Sequence, residues 1–92
     1  MTAQTKPVRE PGVLHYQLFD ELVLYRASTS QAASLNESAR AIWELCDGTR
    51  TIEDICLELA NPLGLQPDLL RGDVCNGVSR LCELGFLSRD AS

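Results

Sequence analysis

The thiols and the one imidazole are the groups best suited to chemistry: Cys46, Cys56, Cys75, Cys82 and His15. Zinc ligands usually arrive as close pairs, and no CxxC pair occurs here. Cys75 and Cys82 would be the first candidates for a metal. A thiol nucleophile needs a base beside it. His15 lies in a stretch rich in β-formers, with no cysteine or serine next to it. In a reducing compartment the thiols are best read as small, half-apolar groups packed on helix faces. The sequence therefore predicts no catalytic residue, no metal site and no cofactor.

The cysteines lie in stretches with helical spacing. Leu35 to Thr51 reads LNESARAIWELCDGTRT. Asn36 is a good N-cap, and Glu37 sits at the positive end of the helix that follows. Ala39, Ile42, Trp43 and Cys46 fall on one helical face. Asp47-Gly48 ends the helix, because Gly takes the left-handed conformation of a helix exit. Thr51 and Asp54 form a partial capping box for a second helix, from Ile52 to about Ala60. Its buried stripe is Ile52, Ile55, Cys56 and Leu59, and Pro62 and Gly64 break it. Pro67 and Asp68 open a third helix, which Gly85 closes. A wheel at 100° per residue spreads its apolar positions over roughly 180°. That arc includes Leu70, Arg71, Val74, Cys75, Gly77, Val78, Leu81, Cys82 and Leu84. One core-facing stripe needs only somewhat over ~100°, so the helix is wide enough to face the core and something else.

Ahead of the helices the period changes. Residues 1–11 are polar with two prolines and are expected to be a flexible tail. Residues 12–88 are expected to form the domain, and 89–92 a second tail. Val13 to Phe19 and Leu22 to Arg26 are rich in strand formers, with a tight turn at Asp20-Glu21. Leu14, Tyr16 and Leu18 share one face. The Val13, His15 and Gln17 face is expected to meet solvent. Gln31 to Leu35 is a poor strand by propensity. It reads as an ordinary edge, a loop, or an edge whose unpaired N–H and C=O groups take up a guest.

Charge narrows the function. The chain carries 13 acids against 8 bases, a net charge of −5. Residues 37–58 hold Glu37, Glu44, Asp47, Glu53, Asp54 and Glu58 against Arg40 and Arg50. Phosphate contacts need clustered Lys and Arg, so these helices would repel a duplex and no nucleic acid is expected. The apolar runs are too short to span a membrane, and the N-terminus lacks a signal-peptide h-region. The chain is expected in the cytoplasm, away from membranes.

Several of these residues also carry a family pattern. Leu35-Asn36, Ser38-Ala39, Ile42-Trp43, Leu45-Cys46-Asp47-Gly48 and Arg50-Thr51 form its first half. Asp73-Val74, Val78, Leu81 and Gly85-Phe86-Leu87 form its second. Over roughly residues 12–88 the chain resembles the PqqD family of pyrroloquinoline quinone biosynthesis, whose domain is also called the RiPP recognition element. The resemblance implies an α+β fold like a winged helix-turn-helix: a three-stranded antiparallel sheet followed by three helices. It implies a non-catalytic peptide chaperone that binds the leader of a ribosomally made precursor peptide by strand addition. The leader would pair with Gln31, Ala32, Ala33, Ser34 and Leu35 and sit against Arg71, Val74, Cys75 and Val78. The implied second partner is a modifying enzyme, either a radical S-adenosylmethionine protein or a lasso-type protease or cyclase. The chain itself would be a monomer or weak homodimer. Gly77 departs from the family's habit of a larger apolar residue; Trp43 would fill the gap, or the groove would widen. The alternative is a winged-helix DNA-binding regulator, which shares the topology but not the charge.

Overall fold

The computed structural model describes residues 4–89. Its elements are β1 (Val8–Arg9), β2 (Val13–Leu18), β3 (Glu21–Arg26), β4 (Gln31–Leu35), α1 (Glu37–Leu45), α2 (Ile52–Ala60), a 3-10 turn at Asn61–Leu63, α3 (Asp68–Glu83) and β5 (Leu87–Ser88). The sheet order is β2-β3-β4, antiparallel throughout, while β1 pairs separately with β5. The fold is the expected α+β arrangement: a meander of three strands, then three helices.

The expected helix signals operate. Asn36 Oδ1 accepts from Ala39 N–H at 2.9 Å, and Thr51 and Asp54 complete a capping box. Gly85 takes φ of 84° at the exit of α3, and Gly48 takes the same φ two residues beyond the C-cap of α1. Asp47 shapes the corner between α1 and α2 by accepting from the hydroxyl and N–H of Thr49. Those bonds, with Arg50 beside it, hold the Asp47 carboxyl down at about 2. The core gathers Leu22, Leu24 and Leu35 from the sheet, Ile42, Trp43 and Cys46 from α1 and its end, and Ile52, Ile55 and Cys56 from α2. Val74, Val78 and Leu81 of α3, with Phe86 and Leu87, close it.

Two expectations are corrected. The first concerns the faces of β2. His15 lies opposite Leu24 and Gln17 opposite Leu22, and both leucines are buried. Val13, His15 and Gln17 therefore share the core side of the sheet, although His15 and Gln17 are exposed there, as expected, and only Val13 is half-buried. Leu14, Tyr16 and Leu18 stand on the outer face, 49%, 58% and 54% exposed. The alternation rule places the apolar set inward, but β2 is an edge strand that overhangs α1, and little core lies beneath it.

The second correction concerns the N-terminal segment, which is not loose from Thr5 onward. Ile52 N–H donates to Thr5 C=O, Gly48 N–H to Pro7 C=O, and Arg9 N–H to Cys46 C=O. Glu10 N–H donates to Phe86 C=O. The Arg9 guanidinium donates to the carbonyls of Trp43 and Glu44 at 3.0 and 2.9 Å and lies 5.9 Å from the centre of the Trp43 ring. A helix leaves its last carbonyls without internal partners, and α1 has no base of its own in its last turn. Arg9 supplies one from 34 residues away, a separation no local pattern reveals. Residues 1–3 and 90–92, which hold the rest of both expected tails, lie outside the described residues.

Both interior glycines of α3 can now be placed. A Cβ at Gly77 would lie 3.3 Å from Cδ1 of Ile42, so Ile42, not Trp43, occupies that gap. A Cβ at Gly72 would meet nothing within 4 Å. Gly72→Ala should therefore stabilise the fold by ~1 kcal/mol, the helix-propensity difference. Urea unfolding midpoints of the two proteins measure this, and a lower midpoint for the variant would contradict it.

Candidate functional site

The register decides which backbone groups are free. The two-residue turn Phe19-Asp20 closes on the pair Leu18–Glu21, which must be a hydrogen-bonded pair. Bonded and non-bonded pairs alternate along an antiparallel ladder. On β3, Leu22, Leu24 and Arg26 then turn their backbone groups toward β4, where they meet Leu35, Ala33 and Gln31. On β4, Ala32 and Ser34 are left with N–H and C=O directed outward. Their side chains are exposed, Ala33 is half-buried and Leu35 is buried. Ser34 also donates its hydroxyl to the Glu21 carboxylate.

Beside this edge runs a groove of about 330 Å³. β4 and the start of α1 form one wall, through residues 32–36, Ala39 and Ile42. The other wall is α3, through Gly77, Arg80, Leu81 and Leu84. These four follow i, i+3, i+4 and i+7, one helical stripe. Arg80 is exposed and makes no ion pair among the described residues.

The stripe expected to line the groove lies elsewhere. Val74 and Val78 are 2% and 0% exposed, inside the core. Arg71 is held by Glu53 of α2 at 2.6 Å and Asp68 at 2.9 Å. Cys75 is half-buried, near enough to Cys56 of α2 to bear on its ionisation. Arg71, Val74, Cys75 and Val78 thus form the stripe that packs along α2. The neighbouring stripe faces β4. The wheel contained both and did not rank them. Gly77, Leu81 and Leu84 were already in its apolar arc, and only Arg80 falls outside it.

Three thiols, Cys46, Cys56 and Cys82, are poor nucleophiles. Burial pushes Cys46 up to about 12, and burial likewise raises Cys56 and Cys82. Among the described residues, no three His, Cys, Asp or Glu side chains are grouped to hold a metal ion. None of the described helices is long and apolar enough to cross a membrane. The DNA-binding alternative is not supported: α2, the second helix of the corner, carries Glu53, Asp54 and Glu58 and no base.

No curated protein matches the chain. Two solved structures share its fold. "TbiB1 in Complex with the TbiA(beta) Leader Peptide" superposes with a TM-score of 0.77 at 19% identity, covering 92% of this chain and 99% of that one. "Lasso peptide synthetase B1 complexed with the leader peptide" gives 0.77 at 18% identity, covering 90% and 98%. The profile of coenzyme PQQ synthesis protein D matches residues 21–87, from β3 through the start of β5. On that match, the chain belongs to the PqqD family.

Proposed function

We propose that the chain binds the leader segment of a ribosomally made precursor peptide by strand addition to β4 and presents the remainder to a modifying enzyme. The observation that carries this is the free β4 edge beside an apolar-floored groove. The family membership and the leader peptides in both similar structures support it. The leader's backbone pairs with the outward groups of Ala32 and Ser34. Small side chains on β4 leave room for the guest. Apolar leader side chains enter against Gly77, Leu81, Leu84 and Ile42, and Arg80 at the rim pairs with a leader carboxylate. Burying two or three such side chains at ~1.5–3 kcal/mol each, less the cost of ordering the peptide, gives micromolar or tighter binding.

The chain does no chemistry itself, needs no cofactor, and acts in the cytoplasm as a monomer or weak homodimer. The enzyme it serves is a lasso-type protease or cyclase, a reading that the similar lasso peptide synthetase B1 supports, or a radical S-adenosylmethionine protein. Titration of labelled leader peptide tests the site. Arg80→Glu should weaken binding about tenfold, ~1.4 kcal/mol for a reversed charge contact. Arg71→Ala, on the α2 side, should leave it within twofold. The reverse ranking would move the site to the other stripe of α3.

A further inference from the structure

The sheet has a second free edge. On β2 the alternation set by the Leu18–Glu21 pair directs the backbone groups of Val13, His15 and Gln17 away from β3. β1, the strand that precedes it, pairs with β5 instead. Among the described residues, no other backbone group bonds to these three. Edge strands are normally guarded by lysine, proline or a bulge. Val13–Leu18 reads VLHYQL, with none of these and an unbroken register.

The two sides of this edge differ in chemistry. The outer side continues into the exposed row Leu14, Tyr16 and Leu18. Beneath the hairpin end of the inner side, at Gln17, lies a groove of about 650 Å³ against the flank of α1. Its lining includes Asp20, Glu21, Glu37, Arg40 and Glu44. Under Val13 and His15 a second groove of about 500 Å³ holds Arg9 and Arg40 as well as Glu10 and Glu44. Arg40 is engaged by Glu44 at 2.8 Å and by Gln17. Asp20, Glu21 and Glu37 have no cationic partner among the described residues.

We infer that β2 is a docking edge for an extended segment of a partner protein, in which apolar residues alternate with Lys or Arg. A strand added there sends alternate side chains to opposite faces. One set extends the Leu14-Tyr16-Leu18 row, and the other, toward the hairpin end, hangs over the acidic groove beside Gln17. A second copy of this chain fits less well. It would place Val13, His15 and Gln17 over the carboxylates and bring together two bodies of charge −5. The proposed occupant leaves β4 open, since the two edges lie on opposite sides of the sheet. This inference does not depend on the leader reading.

The probe is a capped, labelled heptapeptide of alternating Val and Lys, followed by fluorescence anisotropy. Two controls are a Val–Glu peptide and a peptide of the same Val and Lys residues in separate blocks. The alternating Val–Lys probe should bind at least about tenfold tighter than either. His15→Pro, which removes the central outward donor, should weaken it about tenfold. Asp20→Lys, at an exposed turn, should do the same if the proline variant fails to fold. Bound probe should slow hydrogen exchange at His15 and Gln17 while leader affinity stays within twofold. The proposal is overturned if the block peptide binds equally well, or if a folded variant keeps full affinity. Protection at Ala32 and Ser34 would overturn it too, by placing the probe on β4. So would sedimentation showing a dimer that His15→Pro abolishes, which would make the occupant a second copy.

Discussion

Trp43→Ala should lower the unfolding free energy by ~3–5 kcal/mol, the cost of emptying a large aromatic site in a core. Trp43 is 5% exposed, in the cluster where α1 meets α2, α3 and the sheet. A domain typically has only ~5–15 kcal/mol of total stability, and a chain of 92 residues buries a modest core. The loss therefore removes much of what holds it folded. The ring also lies under the Arg9 guanidinium, so the variant loosens the contact that ties the N-terminal segment to α1. Urea unfolding followed by circular dichroism measures the effect. A midpoint near that of the parent protein would mean that the ring is not a core element.

The second large effect separates two adjacent alanines. Ala32 directs its N–H away from the sheet, while Ala33 is paired with Leu24 of β3. Proline removes one donor and is tolerated in a strand only where no ladder bond is lost. Ala32→Pro should keep the fold and lose leader binding by at least ~1.5 kcal/mol, one backbone bond plus the guest group left unpaired. Ala33→Pro should instead break the β3–β4 ladder and destabilise the domain. Peptide titration paired with circular dichroism reads both. If folded Ala32→Pro binds leader as tightly as the parent, strand addition at β4 is wrong.

Much of the fold was legible because its signals are local. Asn36, Thr51 with Asp54, and Gly85 act on backbone groups within a few residues. The helical faces of α1 and α2 could be counted for the same reason. β4 was legible as an edge despite its poor strand propensity, because it closes a short meander. Charge told against DNA, and it needed no coordinates.

Other features depend on which surfaces meet. The periodicity of α3 offered two adjacent stripes of similar apolarity. The docking of α2, with Glu53 gripping Arg71, buried one and left Gly77, Arg80, Leu81 and Leu84 beside β4. β2 carried a clean alternation, yet its apolar set faces outward, because little core lies beneath this edge strand on the side toward α1. Thr5 to Glu10 read as a tail because the groups they satisfy lie at Trp43 to Ile52 and at Phe86. Sequence determined the three strands of the meander, the three helices and the two faces of each, since these follow from spacing along one strand or helix. Only the tertiary structure decided which face is buried, which edge is free and which stripe borders it. Those outcomes depend on neighbours brought together across the chain, and periodicity carries no record of them.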